Sequence, residues 1–420
     1  MFKAEIVADS LSPQGDRLIS ILCTFPRIIL AEVNTHRMLS KNTSSSRAIP
    51  FKKMVQSVKD NPFIPIAWQK DHSGMQGSEY LNPDKKVTLD EFIVILYDTL
   101  NTYPKDSKEY VLLEAKIKER VELVETILVD YKNKVKSLID WWLFARDKAV
   151  ECATILYVLN VTKQLCNRLL ETFMWTTMLI TGSLEGGWDN FFNLRCPQYI
   201  LPRAASVDMR FKSWKDVIKH NEEITSSNPE HVDRIAGAKW LNEFSVLDRL
   251  KQNTGQAEIH MMYLAELIYD TVNESIPKQL KAGEWHIPFD NKIISILSDV
   301  NSGNRSTGIQ WLRDKIKIST AMGARTSYTI VGDEKEVKWG DLYTLDDKLL
   351  IQQPPHSSPM EHCSRAMDDK EYVSTSKGKR PDVVVQGTIE EIKDVIELGW
   401  CRNYRGFIQR RHLIEETFKS

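Results

Sequence analysis

The stretch THRMLSKNTSSSR, residues 35–47, is unusually rich in hydrogen-bond donors. It holds two arginines, a histidine, an asparagine and a run of hydroxyls, with no glycine and almost no apolar content. Arg37 and Arg47 can each bind a phosphate or a carboxylate through two hydrogen bonds, and serine hydroxyls can donate to the remaining anion oxygens. This donor-rich segment is therefore either a solvated loop or an anion-binding site, and the residues alone leave both open.

The sequence on either side of the donor-rich segment predicts a strand pair and then a helix. Residues 2–24 alternate as two strands do, with SPQGD at 12–16 as the turn. Pro26 opens PRIILAEVNTHRMLS, residues 26–40, and suits the first position of a helix. The segment then lies at a helix end, where backbone amides can converge on an anion.

Further along the chain, the apolar spacing favours helices. A short helix and loop are expected over 50–80, and an amphipathic hairpin over 88–135. A second helical block is expected over 136–185, with its apolar stretch 166–182 buried, and a strong amphipathic helix over 255–276. CRNYRGFIQRRHL, residues 401–413, is strand-like. The chain is predicted to be α+β with helices dominant.

Composition limits the class of protein. With 42% hydrophobic and 27% charged residues the chain can build a core, and its net charge of -1 argues against a nucleic-acid coat protein. Six scattered cysteines contain no C-x-x-C pair, which is typical of reduced thiols. No apolar run approaches the ~18 residues that cross a bilayer. We therefore expect a soluble cytoplasmic protein that has no membrane partner and is not a general nucleic-acid coat protein.

The spacing H-R-x-x-S-x-N-x-x-S-x-R within the donor-rich segment resembles the signature of the flavin-dependent thymidylate synthase family, R-H-R-x-x-S-x-N-x-x-S-x-R. Two positions depart from it: Thr35 replaces the first arginine, and Thr43 stands where the family usually has a glutamate. The matching residues are His36, Arg37, Ser40, Asn42, Ser45 and Arg47.

Other stretches resemble further segments of that family. NRLLETFMW carries Arg168, WDNFFNLR carries Asn190 and Arg195, GQAEI carries Gln256 and Glu258, ARTSY carries Ser327, and HSSPMEH carries His356, Ser358, Glu361 and His362. In most members the last two segments precede the signature, whereas here they follow it. The chain therefore resembles a circularly permuted member with insertions, a rearrangement that is tolerated when termini lie together at the surface.

The resemblance implies a fold and a division of the chain. The implied fold is α+β and helix-dominated, with a mixed or antiparallel sheet and inserted helical segments. The predicted regions are 1–80 with the signature, an inserted hairpin at 81–140, a buried helical core at 141–196, an insertion at 197–253, and a helix plus flavin-binding segments at 254–420.

The resemblance also implies an activity. The family methylates the 5-carbon of dUMP to give dTMP, using methylenetetrahydrofolate, FAD and NADPH, in a homotetramer whose sites lie between subunits. Cofactors then carry the chemistry, and the protein contributes binding and electrostatics. By family position, the implied nucleotide-binding residues are Ser45, Ser46, Arg47, Arg168 and Arg195, with Arg47 and Arg195 as the catalytic pair. The implied FAD-binding residues are His36, Arg37, Asn42, Asn190, Ser327, His356, Ser358 and Glu361.

Several of these residues have plainer explanations. Ser327 could cap a turn, and Asn190 could satisfy backbone groups. Glu361 with its flanking histidines could form a metal cluster, but H-x-x-x-x-E-H is not a common ligand spacing. Arg168 and Arg195 lie in apolar helical context, where a buried arginine usually needs an anion or an acid.

The basic stretch RNYRGFIQRRHL, residues 402–413, has two interpretations. It could bind nucleic acid. It could equally replace the glutamine and arginine that the family carries just before the signature, with Gln409 and Arg411 as the candidates and Gln409 as a substrate-binding residue.

Three functions stay open at this stage. The first is methylation of dUMP, and the second is methyl or hydroxymethyl transfer to dUMP or dCMP, as in viruses that modify their DNA bases within the host cytoplasm. The third is a non-catalytic relative that binds nucleotide or protein partners. Uptake of FAD by the purified protein would separate the first two from the third.

Overall fold

The computed structural model describes residues 1–72, 77, 79–200, 209–227, 238–300, 308–329, 331, 339–352, 357–375 and 398–417. The chain divides into two compact units, Met1–Phe63 with Leu156–Ser420, and Ile64–Ile155. The predicted hairpin insertion, 81–140, falls inside the second unit. Within the described ranges, no helix combines the length and the apolarity needed to cross a membrane.

A five-stranded sheet organises the first unit. Its spatial order is β3-β4-β2-β1-β7, with antiparallel pairs throughout except for the parallel pair of β1 and β7. A second sheet of order β12-β9-β8 is antiparallel, and β5–β6 and β10–β11 form two small ribbons. The strands are β1 Lys3–Leu11, β2 Arg17–Pro26, β3 Ser40–Thr43, β4 Trp175–Ser183, β5 Tyr199–Ile200, β6 Arg210–Phe211, β7 Lys278–Gln279, β8 Trp285–His286, β9 Ser364–Ala366, β10 Trp400–Cys401, β11 Tyr404–Arg405 and β12 Phe407–Gln409.

Helices account for most of the remaining regular structure, so the predicted α+β class with dominant helices is confirmed. The helices are α1 Leu30–Asn34, α2 Phe51–Asp60, α3 Leu89–Leu100, α4 Lys108–Thr126, α5 Leu138–Val158, α6 Lys163–Cys166, α7 Asp189–Arg195, α8 Trp214–Ser227, α9 Val246–Leu250, α10 Ile259–Glu274, α11 Asp290–Val300, α12 Ile309–Arg325, α13 Trp339–Ile351, α14 Asp369–Ser374 and α15 Arg410–Thr417. Short 3-10 turns lie at Asn167–Phe173, Thr326–Tyr328 and Ser358–Glu361.

The predicted hairpin of β1 and β2 is confirmed, and its turn is the expected one. The Ser12 amide donates to the Asp16 carbonyl at 2.8 Å, and Gly15 adopts a φ of +92°, which glycine allows at little cost. Alternate residues of β2, among them Ile19 and Ile21, face α10 and pack on Met261 and Ile268. This face of the sheet is the main hydrophobic core.

The expected helix over 175–183 is wrong, because this segment is strand β4. β4 lies between β3 and β2, and both of its faces are covered: Met178 and Ile180 face the core, while Leu179 and Thr181 on the other face are also fully buried. A strand covered on both faces shows no polar alternation, so its apolar run cannot be distinguished from a buried helix by pattern.

The helix expected over 26–40 ends early, at Asn34. A 3-10 turn, Arg27–Ile29, precedes α1. The Thr35 hydroxyl donates to the Glu32 carbonyl at 2.6 Å, and His36 turns inward after it. The donor-rich segment therefore leaves the helix at once and enters the sheet as β3.

The strand-like prediction at 401–413 holds only up to Gln409. The chain forms β10, β11 and β12 there and then continues as α15. Gly406, with a φ of +73°, makes the tight turn between β11 and β12, and a Cβ on it would lie 2.7 Å from an Asp16 carboxylate oxygen. The C-terminal strands thereby pack closely on the turn of the β1–β2 hairpin.

The second unit is helical, as the amphipathic spacing predicts. Helix α3 begins with a capping box between Thr88 and Glu91, and α4 begins at Ser107, whose hydroxyl accepts from the Tyr110 amide. Trp68 and Trp142 pack edge to face with ring centroids 5.8 Å apart. The caps of α3 and α4 depend only on neighbouring residues, which helps to explain why this hairpin could be predicted from the sequence.

Candidate functional site

The donor-rich segment supplies β3, the edge strand of the central sheet. Beyond its pairing with β4, β3 packs against the turns Thr326–Tyr328 and Ser358–Glu361. The Ser45 amide donates to the Ser327 carbonyl at 2.9 Å. Three segments that are far apart in the sequence therefore meet at one edge of the sheet.

At the start of the segment, His36 and Arg195 contact each other directly. Arg195 Nε donates to His36 Nε2 at 2.9 Å, and an Arg195 Nη atom donates to the Thr35 hydroxyl at 3.1 Å. Burial lowers the pKa of His36 to about 4, with Arg195 and Lys41 acting in the same direction. The imidazole is thus neutral at pH 7 and accepts from Arg195, which fixes the guanidinium of α7 beside the segment.

Lys41 is a site residue that the sequence reasoning missed. Its Nζ donates to the His36 carbonyl, and burial lowers its pKa to about 8, although the Glu361 carboxylate opposes that shift. A half-buried ammonium between Ser40 and Asn42 adds a titratable positive charge to this edge. The sequence signal that could have identified Lys41 is a cationic side chain within the polar stretch SKNT, residues 40–43.

The end of the segment is anchored to β4 and to the turn Asn167–Phe173. Ser44 bonds the Thr176 hydroxyl at 2.6 Å, and Asn167 Nδ2 donates to the Ser46 and Ile49 carbonyls at 2.7 and 2.9 Å. The Ser46 hydroxyl donates to the carboxylate of Glu171. This carboxylate, which the motif comparison did not single out, also lies 3.4 Å from an Arg168 Nη atom.

The C-terminal strands support the segment from a second side. Asn403 Nδ2 donates to the Ser40 hydroxyl at 3.0 Å and to the Met38 carbonyl at 3.1 Å. Gln409 is buried, and its amide donates to Asn403 Oδ1 at 2.6 Å. Gln409 therefore reaches the segment through Asn403, a residue that the sequence reasoning did not select.

The turn Ser358–Glu361 is held by an ion pair. Arg411 pairs with Glu361 through an Nη atom and with Glu415 through Nε at 2.8 Å. The next residue, His362, bonds the Thr181 hydroxyl through Nδ1 at 2.8 Å. His356 lies outside the described residues, and within those residues no group of three His, Cys, Asp or Glu side chains is arranged to hold a metal ion.

The remaining predicted residues differ in exposure. Arg37, Arg47 and Asn190 are exposed, whereas Asn42 is buried and Ser358 is half-buried. The expectation of a buried arginine is wrong for Arg168, which lies in the 3-10 turn Asn167–Phe173 with its side chain 53% exposed. Arg195 is half-buried.

Two of the three predicted nucleotide-binding arginines, Arg195 and Arg168, lie at opposite ends of the donor-rich segment. Arg195 contacts the start of the segment and Arg168 borders its end, with the residues of β3 between them. A strand rises about 3.4 Å per residue, so the two ends lie roughly 10 Å or more apart. One chain therefore presents two groups of donors, one at each end of β3.

No family model, curated protein or solved structure matches this chain. What the site can do must therefore follow from its own chemistry. Its donors are guanidiniums, one ammonium, serine hydroxyls and an amide. Such a set binds anionic oxygens, and Arg37 has no ion pair among the described residues.

Proposed function

We propose that this chain is a flavin-dependent enzyme that adds a one-carbon unit to the 5-carbon of a pyrimidine deoxynucleotide monophosphate, most simply converting dUMP to dTMP. The observation that carries the proposal is the meeting of the donor-rich segment with Ser327 and with the turn Ser358–Glu361 at one strand edge. These are three of the segments that resemble the flavin-dependent thymidylate synthases. Their contact in space supports a common site.

The charge at this edge supports binding of phosphates. Arg47 is exposed and its Nε donates only a long bond, 3.3 Å, to Gln164. Together with Arg37 it offers guanidinium groups that no carboxylate neutralises among the described residues. Ser45 and Ser46 add donors next to Arg47. We assign Ser45, Ser46 and Arg47, at the end of the donor-rich segment, to the nucleotide phosphate. We assign Arg37, Asn42 and Ser358 to FAD.

Arg195 suits the role of stabilising charge on the pyrimidine. His36 and Thr35 hold two of its nitrogens, so the guanidinium is oriented before a ligand arrives. A fixed positive group next to a developing oxyanion costs no reorganisation during the reaction. His36 is neutral at pH 7, so it accepts a hydrogen bond from Arg195 without neutralising the positive charge of the guanidinium.

The proposed reaction needs cofactors and a second subunit. When bound, FAD reduced by NADPH would supply the hydride, and methylenetetrahydrofolate the carbon. Because Arg195 and Arg168 border opposite ends of β3, we propose that a complete site combines donors from two copies of the chain, in a homotetramer as in the resembled family.

The decisive experiment supplies each substrate separately. The purified protein is incubated with FAD, NADPH, methylenetetrahydrofolate and either dUMP or dCMP, and the nucleotide is analysed by mass spectrometry. A gain of CH2 indicates methylation, and a gain of CH2O indicates hydroxymethylation. A colourless protein that takes up no FAD and changes neither nucleotide would contradict the proposal and favour a non-catalytic binding protein.

Substituting Arg47 by alanine tests the phosphate assignment. Charge-assisted hydrogen bonds contribute about 1.5–3 kcal/mol, so we expect dUMP affinity to fall roughly 10- to 100-fold. The fold should persist, because an exposed arginine adds little stability. Isothermal titration of dUMP measures the affinity, with Lys52→Ala, which removes an exposed cation of α2, as the matched control. Equal affinities for the two variants would remove Arg47 from the site.

A further inference from the structure

Glu171 occupies the centre of the donor group at the end of the donor-rich segment. A single carboxylate oxygen, Oε1, accepts from the Ser46 hydroxyl and lies 3.4 Å from an Arg168 Nη atom and 3.5 Å from an Arg27 Nη atom. Ser46 is buried and the Arg27 side chain is 13% exposed, so two of these donors are fixed in the fold. The third, Arg168, reaches in from the surface.

The two ion pairs of Glu171 are long. Charge-assisted bonds between a guanidinium and a carboxylate normally measure about 2.7–2.9 Å and are often bidentate. Neither guanidinium reaches that distance here: both of them and the hydroxyl share one oxygen atom, and Arg27 also donates to the Ser44 carbonyl at 2.7 Å. A phosphate monoester has three terminal oxygens and could give each donor its own acceptor.

The charge around Glu171 favours an added anion. Besides Arg27 and Arg168, two further cations lie on residues next to Ser46: Arg47 follows it in the chain, and Lys163 Nζ donates to the Ala48 carbonyl at 3.0 Å. Among the described residues, Glu171 is the carboxylate that lies within 4 Å of any of these cations. One negative charge does not balance the cluster, so the site attracts a ligand with more charge than a carboxylate.

We propose that Glu171 is an internal anion that fills this cluster when no ligand is bound, and that a phosphate monoester displaces it from Ser46 and Arg168. The inference rests on the proposed function only in naming the ligand as a nucleotide. Displacement requires a ligand that outcompetes a carboxylate in charge and in number of acceptors. The site is therefore selective for a terminal phosphate, which carries about -1.5 to -2 charges at pH 7, over a carboxylate or a phosphodiester.

Glu171→Gln tests this mechanism. Glutamine keeps the size of the side chain and an oxygen that accepts from Ser46, so the local fold is retained. Losing the competing charge should tighten binding of inorganic phosphate and of dUMP by roughly tenfold or more. Isothermal titration with each probe gives the affinities. The control is Glu274→Gln, the same chemical change at an exposed ion pair with Lys215, which should leave both affinities unchanged.

A double variant tests whether Arg168 is the donor that Glu171 releases. In the double variant Glu171→Gln with Arg168→Gln, the gain in phosphate affinity should be lost, because the donor released by Glu171 is gone. The inference is overturned if Glu171→Gln binds phosphate no more tightly than the parent chain while its thermal unfolding is unchanged. It is also overturned if neither chain binds phosphate or dUMP.

These outcomes separate the inference from the proposed function. Phosphate binding needs no flavin and no methyl transfer, so a tighter Glu171→Gln variant supports the inference even if no nucleotide is ever methylated. An active methylase whose phosphate affinity is indifferent to Glu171→Gln would retain the proposed function and lose the inference.

Discussion

Replacing Asp346 with alanine is expected to cost about 3–5 kcal/mol of folding free energy. Asp346 of α13 is fully buried and forms a bidentate ion pair with Arg410, at 2.7 and 2.8 Å. The same guanidinium donates to the Thr320 hydroxyl of α12 at 2.5 Å. Removing the carboxylate leaves a buried positive charge without its partner, and that desolvation cost is what destabilises the fold.

The neighbouring residue provides the control. Asp347 pairs with Lys317 at 2.7 Å, but its side chain is 46% exposed, so Asp347→Ala should change stability by at most about 1 kcal/mol. Urea unfolding followed by tryptophan fluorescence compares the two variants. Replacing both buried partners, as Asp346→Leu with Arg410→Met, should recover much of the loss, because no charge is then left unpaired. Equal midpoints for Asp346→Ala and Asp347→Ala would contradict this account.

The Asp346 variant should also affect the candidate site. Arg410 begins α15, and the next residue, Arg411, pairs with Glu361 in the turn that packs against β3. Loss of the buried pair therefore frees the helix that positions this turn. If the chain binds FAD as proposed, equilibrium titration should show a lower FAD affinity in Asp346→Ala even at temperatures where the chain remains folded.

Acid is expected to destabilise this protein between pH 6.5 and pH 5, before carboxylates of ordinary pKa are protonated. A buried chain of hydrogen bonds runs from Ser10 through His286, Ser20 and Thr181 to His362, with distances between 2.6 and 2.9 Å. Burial lowers the pKa of both imidazoles from 6.5 to about 3. Both histidines therefore stay neutral in the folded state at pH 5.

The sign of the pH dependence follows from these lowered values. Below pH 6.5 each histidine takes up a proton in the unfolded chain but not in the folded one, so stability falls as pH falls towards 3. Between pH 7.5 and pH 5 the loss is about 2 kcal/mol for each histidine. The urea midpoint measured across this range should decrease steadily.

His362→Asn isolates one of the two contributions. The asparagine amide can still bond the Thr181 hydroxyl, and His362 Nε2 has no partner to lose among the described residues. The variant should show a weaker dependence of stability on pH, by up to about 1.4 kcal/mol per pH unit between 4 and 6. His412→Asn, at a half-exposed position, serves as the control. An unchanged slope in His362→Asn would show that this imidazole does not set the acid sensitivity.

Prediction of the fold succeeded where the signal was local. The β1–β2 hairpin has alternating strands around a turn with glycine, and α10 has an apolar stripe that repeats every three or four residues. Strand β4 was not predicted because neighbours cover both of its faces, so its sequence lacks the alternation that identifies a strand. The strand predicted through residue 413 ends at Gln409, because α15 begins at Arg410, whose side chain is buried against Asp346.

Prediction of the candidate site was likewise limited to residues that a local sequence pattern marks. The sequence singled out His36, Arg195 and Ser327, and each lies at one edge of the sheet or contacts a residue there. It did not single out Lys41, Asn403 or Glu171, whose importance depends on partners far along the chain. Glu171 lies in a largely apolar stretch, residues 166–182, and only its contacts with Ser46, Arg27 and Arg168 distinguish it.

The amino-acid sequence by itself determined the α+β class, the N-terminal hairpin, the long helices and the donor-rich segment, because each depends on neighbouring residues and their period. The tertiary structure decided which strand lies at the centre of the sheet, how the C-terminal strands support Ser40, and which carboxylate faces the arginines. Those features depend on contacts between residues more than a hundred positions apart. Burial and charge pairing arise only when such residues come together.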